Sequence, residues 1–239
     1  MPLSAPVLRR SCFLFALLLL PARGMAQGAS SSRAPVALDP STPLELHNAR
    51  AEWVEHRGRR ALHLAPLAGH EHDTDQELEA VLVGSDFGDG VIEVDLSGAR
   101  REGYATDNVS AFKGFIGVSF RVRGDTAERF YLRPENARLD DQLFRNRATQ
   151  YEAPPEFPWQ RLRQEDPGVY ESYADMEAGG WTSVRIEVTG DHAKLFINGA
   201  AQPALVVNDL RHGAGHGAIA LWTRISSDAY FSNLRVTRR

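Results

Sequence analysis

Cysteine is nearly absent: the 239 residues hold one, Cys12, and it sits inside an apolar run near the N-terminus. Removal of that run would leave no thiol, which excludes disulfides, a cysteine nucleophile and a thiolate metal site. Positive charge is not in excess either. There are 27 basic and 31 acidic residues, for a formal charge of −4. That balance argues against a nucleic-acid or anionic-membrane partner. The apolar run from Cys12 to Leu20 is too short to cross a bilayer, which takes ~20 apolar residues. No other hydrophobic span follows, no stretch keeps a helical period, and no segment repeats.

What is present begins with Arg9-Arg10, the short apolar run, and Gly24-Met25-Ala26. A basic start, an apolar middle and small residues flanking a cut predict a signal peptide over 1–26. The protein is therefore expected to be secreted or periplasmic, with no membrane contact after cleavage. Loss of Arg9, Arg10 and Arg23 would take the charge to about −7. Residues 27–42 are small, polar and proline-containing, and read as a flexible leader. The remaining 43–239 is enough chain for one core.

That remainder is a series of short alternating runs between Gly, Asp and Asn turns. The pattern predicts an all-β, two-sheet antiparallel jelly-roll sandwich. Neighbouring residues on a strand face opposite ways. Ile116, Val118, Phe120 and Val122 therefore share one face; Phe115, Gly117, Ser119 and Arg121 share the other. Arg129, Tyr131 and Arg133 oppose Phe130 and Leu132, and Trp222 and Arg224 oppose Ile219 and Leu221. The apolar sets make a core. The opposite sets mix arginines, lone aromatics and small residues, which predicts a shallow trough. The segment 134–180 lacks strand signal yet is rich in aromatics, arginines and carboxylates. It reads as a long ordered insertion loop packed over one face.

These residues carry a family resemblance. Gly114 to Arg121, Phe130 to Asn136, Gln150-Tyr151, Gly180 to Val188, Ala193 to Gly199 and Ala229 to Val236 are similar to secreted bacterial domains of the concanavalin A-like lectin/glucanase superfamily. The group they most resemble is the 3-keto-disaccharide hydrolase, or family-16-like, group, and the closing strands look like laminin-G-type jelly rolls. The resemblance implies a concave sheet whose polar face meets carbohydrate. Family-16 glucanases carry Glu-x-Asp-x-x-Glu on one strand. Here Glu93 and Asp95 match its start, but Gly98 stands where the second Glu would be, so that two-carboxylate mechanism is not carried over. The family's Asn-Ser-Gly version of the strand before the insertion is also replaced, by Gly-Val-Ser-Phe-Arg.

Two functions follow as expectations: a glycoside hydrolase or lyase, or a non-catalytic carbohydrate-binding or adhesion module. Candidate acid/base residues are Glu135, Asp141, Glu171 and Asp175, with His216 as an outside choice. Candidate sugar-binding residues are Arg121, Tyr131, Arg133, Asn136, Arg145, Gln150, Tyr151, Trp159, Tyr173 and Trp222. Arginine and asparagine supply donors, carboxylates accept, and rings pack under sugar C–H faces. His70-Glu71-His72-Asp73 with Asp75 is the most metal-like run, but it reads as a polar loop without a further ligand. No cofactor is expected. Related jelly rolls often hold Ca²⁺, but no Asp-rich loop here supplies its oxygen ligands.

Overall fold

A computed structural model of the chain describes residues 1–2, 36–73, 76–104 and 113–239. The expected signal peptide and most of the leader fall outside them, as does Asp75. The described residues from Val36 on belong to one compact unit, Arg33–Arg239, and it is an all-β jelly-roll sandwich.

Its strands are β1 Val36–Ala37, β2 Leu44–His47, β3 Ala49–His56, β4 Arg59–Pro66, β5 Glu77–Leu82, β6 Gly90–Arg100, β7 Ile116–Arg123 and β8 Thr126–Leu132. They continue with β9 Thr149–Glu152, β10 Glu171–Ser172, β11 Thr182–Thr189, β12 His192–Ile197, β13 Leu205–Val207, β14 Ala218–Arg224 and β15 Ser227–Arg238. One sheet runs β13-β12-β11-β6-β15-β4-β3, with β1 also on β15; the other runs β10-β9-β8-β7-β14-β5-β2. Every run read as a strand from alternation is one. Among the described residues no helix is long and apolar enough to cross a membrane.

The core lies between the sheets where the alternation puts it. Ile116, Val118, Phe120, Phe130, Leu132, Ile219 and Leu221 point inward from the seven-stranded sheet. Ile92, Val94, Leu96, Val184, Ile186 and Phe231 meet them from the eight-stranded one. All are almost fully buried. Each such side chain is worth ~1.5–3 kcal/mol relative to exposure.

The segment 134–180 is not a loop alone. It contributes β9 and β10, which extend the seven-stranded sheet, and short helices α1 Pro134–Ala137, α2 Gln142–Arg145 and α3 Trp159–Glu165. β9 escaped notice because its sequence is Thr-Gln-Tyr-Glu, yet all four residues are buried. Gln150 and Glu152 are covered by partners from other segments rather than by apolar packing. Asp141 caps α2, accepting from the Leu143 and Phe144 N–H groups at 2.9 and 3.2 Å. Asp141→Ala is expected to cost about 1 kcal/mol, read as a shift in the urea midpoint.

Candidate functional site

The outer face of the seven-stranded sheet is built around Gly117. It stands in register between Tyr131 on β8 and Trp222 on β14. A Cβ there would meet the Phe130 carbonyl oxygen at 2.3 Å and Tyr131 Cβ at 2.5 Å. With no side chain between them, the two rings lean together at 4.9 Å. Phe115 adds a third ring, 6.1 Å from Tyr131. The expectation of an open trough fails at this point. Tyr131 is 2% and Trp222 1% exposed, because guanidinium groups lie over both. Arg129 sits 4.4 Å from the Trp222 ring and Arg133 4.9 Å from the Tyr131 ring.

Arg129 is the hub. Its Nη1 donates to Glu77 Oε2 at 3.0 Å and Glu152 Oε1 at 2.9 Å. Its Nη2 donates to Glu79 Oε1 at 2.8 Å and its Nε to Ser119 Oγ at 2.9 Å. The Trp222 indole N–H adds a bond to Glu77 at 2.9 Å. Burial alone would lower the Arg129 pKa, but Glu77, Glu152 and Glu79 outweigh it and raise it above the ordinary range. Burial would raise Glu77, but Arg129, the Trp222 N–H and Arg224 hold it below the ordinary carboxylate range. Glu77 and Glu152 accept from one nitrogen, so those two oxygens stand no more than about 6 Å apart. None of these three glutamates was singled out from the sequence. The available signal was Glu77-x-Glu79, whose period of two puts both on one face.

Beside the hub, Arg133 donates to the Tyr131 hydroxyl at 2.7 Å and to Gln150 Oε1 at 3.2 Å. Trp159 on α3 lies under Arg163 at 4.4 Å and Arg133 at 5.6 Å. Arg163 Nη2 holds Glu171 Oε2 at 2.5 Å. The structure thus brings together Tyr131, Arg133, Gln150, Trp159, Glu171 and Trp222.

Other candidates are elsewhere. Arg121 leaves the face at a bulge, with φ 54. Its guanidinium donates to the carbonyls of Gly88, Gly190 and Gly213 and to Asp89, pinning the loops at one end of the sandwich. Tyr151 points into the core, its hydroxyl 2.5 Å from Glu128 Oε2 and accepting the Arg211 N–H at 2.7 Å. Burial pushes the Glu128 carboxyl up. Glu135 accepts the Arg100 N–H, Asp175 pairs with Arg138 on the surface, and His216 pairs with Asp86. Asn136 is buried, donating to the Arg147 carbonyl. Glu93 and Asp95 lie on the eight-stranded sheet, where Asp95 pairs with Arg59. A Cβ on Gly98 would meet the Gly114 carbonyl oxygen at 2.4 Å, so the position has no room for a glutamate. His70 pairs with Asp73, and among the described residues no three His, Cys, Asp or Glu side chains are grouped to hold a metal ion.

Two open clefts flank the closed centre. One, of about 370 Å³, is lined by His47, Asn48, Glu77, Glu79 and Arg129. The other, of about 470 Å³, lies at the β10 edge and is lined by Leu143, Arg147, Arg163, Glu171 and Tyr173. Tyr173 is 40% exposed. Arg145 stacks on its ring at 5.0 Å and donates to its hydroxyl at 3.2 Å.

No protein-family model and no curated protein matches the chain. Solved structures do. A carbohydrate-binding module, CBM66 from Bacillus subtilis, aligns with TM-score 0.50 and 10% identity over 80% of this chain and 97% of that one. A Bacillus subtilis protein of unknown function with a galectin-like fold gives 0.51 and 13% over 82% and 90%. The VIP36 exoplasmic/lumenal domain, in its Ca²⁺/Man3GlcNAc-bound form, gives 0.51 and 9% over 82% and 83%. At these identities the likeness is one of fold alone, a two-sheet β-sandwich.

Proposed function

We propose that the jelly roll is an exported saccharide-binding domain whose ligand occupies the cleft at the β10 edge. One observation carries the reading: Tyr173 offers a half-exposed ring beside two guanidinium groups and the Glu171 carboxylate, in a cleft large enough for a sugar unit. A ring packs against C–H faces while fork-shaped donors and a carboxylate meet hydroxyls. Folds of this type in CBM66 and VIP36, one named for carbohydrate binding and the other bound to Man3GlcNAc, support it. Titration calorimetry of the exported chain over a glycan panel is expected to give binding without product. Tyr173→Ala should weaken that binding by roughly tenfold, about 1.4 kcal/mol, with the melting temperature unchanged. Flat heats across the panel would remove the proposal. Export itself is tested by N-terminal sequencing of the mature protein, expected to begin at Gln27.

The hydrolase reading stands second, on the close approach of Glu77 and Glu152 at Arg129, with Glu77 lining the 370 Å³ cleft. It ranks lower because Arg129 takes an oxygen from each outward carboxylate, and Glu77 is held ionised. A glycosidase needs one of its carboxyls to donate a proton. The carboxyl that burial does push up, Glu128, faces the core. Cleavage of any glycan, 3-keto disaccharides included, that disappears in Glu77→Gln and in Glu152→Gln would establish the enzyme instead.

A further inference from the structure

We infer that the saccharide taken by the β10-edge cleft is an acidic one, a chain of hexuronic acid units whose carboxylate seats on Arg147. The inference rests on the proposed saccharide-binding function and names its substrate class.

Arg147 carries it. Its side chain is 23% exposed and lines the cleft. Its buried Nε lies 3.4 Å from Glu171 Oε1, an ionic contact without hydrogen-bond geometry, and among the described residues its guanidinium makes no hydrogen bond. That carboxylate is already engaged by Arg163, whose Nε and Nη2 reach it at 3.0–3.1 and 2.5 Å. Glu171 is therefore shared by two guanidinium groups, with its hydrogen bonds going to Arg163 and only an ionic contact to Arg147. A desolvated donor left unmade is costly, and a planar guanidinium matches a carboxylate through two parallel bonds.

The surroundings agree. Arg147 and Arg163 share the carboxylate Glu171, the one acidic side chain lining the cleft, and Arg145 stacks on the Tyr173 ring beside it. Arg145 Nε also lacks a partner. This local positive excess stands on a chain whose formal charge is −4. A small inorganic anion would meet the guanidinium but leave Tyr173 and the exposed Leu143 uncovered. A uronic acid unit places a pyranose ring and a carboxylate together.

The test compares oligogalacturonate with its carboxyl-reduced, neutral counterpart, and adds oligoglucuronate, a sulfated oligosaccharide and sodium acetate as separate arms. Expected are binding of at least one uronate oligomer, loss of roughly tenfold or more on carboxyl reduction, and weakening by added salt. Arg147→Met should abolish that preference, and Arg147→Lys should restore part of it, since the charge returns without the fork. Equal affinity for acidic and neutral oligomers in the unaltered protein overturns the inference whatever the variants do. So does binding of the sulfated probe or acetate in preference to uronates. Neutral glycan binding that depends on Tyr173 would overturn the uronate assignment and leave the binding function standing. Failure of every glycan overturns both.

Discussion

Arg129→Ala is expected to remove about 3–5 kcal/mol of stability, the cost of breaking a buried ion pair from one side. That is a large share of the ~5–15 kcal/mol that holds a domain folded. The effect comes from what is left behind. Glu152 keeps 6% of its side chain exposed and Glu79 19%, and both would lose their guanidinium without gaining full hydration. The Trp222 ring would lose the group stacked on it at 4.4 Å. Arg129→Met keeps most of the volume, so it separates the charge effect from the cavity. It should recover little, while Arg129→Met combined with Glu152→Gln should recover more. Denaturant midpoints read all three. A single Arg129→Ala midpoint within error of the unaltered protein would show that the carboxylates are solvated and the hub is not structural.

The same hub sets an acid limit. The folded-state pKa of Glu77 lies below its unfolded value. Its contribution is therefore fully present above the unfolded pKa and is lost as pH falls through the depressed folded one. Stability should decline on that acid limb, and the decline should flatten in Glu77→Gln.

Gly117→Ala is expected to cost about 3 kcal/mol, at the upper end for overpacking. The added methyl meets the Phe130 carbonyl at 2.3 Å, and that oxygen belongs to a strand paired on both sides, so it cannot withdraw. Relief requires Tyr131 to move off Trp222, and the indole then exchanges its contact with that ring for water. A red-shifted tryptophan emission should accompany the loss of stability. Unchanged stability and emission would mean that the ring pair does not depend on the missing side chain.

Much of the sandwich was legible because its core obeys a local rule. Alternation along β7, β8 and β14 separates Ile116, Phe130 and Ile219 from Gly117, Tyr131 and Trp222 whatever the strands later pair with. The outer face obeyed that rule only where strands stay regular. Arg121 belongs by alternation with Gly117, but a bulge with positive φ turns it to the loop carbonyls. Tyr151 looked like a sugar platform because β9 itself was invisible. Once the strand is in place, its parity sends Tyr151 inward and Gln150 outward.

By itself, the sequence determined the fold class, the strands from Leu44–His47 to Ser227–Arg238 apart from β9 and β10, and the apolar face of those it showed, since burial preference repeats at the period of the backbone. Only the tertiary structure decided what the polar face does. Arg129 draws Glu77 and Glu79 from β5 and Glu152 from β9, partners 50 or more residues away on one side and 23 on the other. Charges meeting across strands leave no period in the chain. That is why the centre of the face is closed by its own ion pairs, and why the open surface lies in the clefts beside it, one of them at the β10 edge where Arg147 and Arg163 share Glu171.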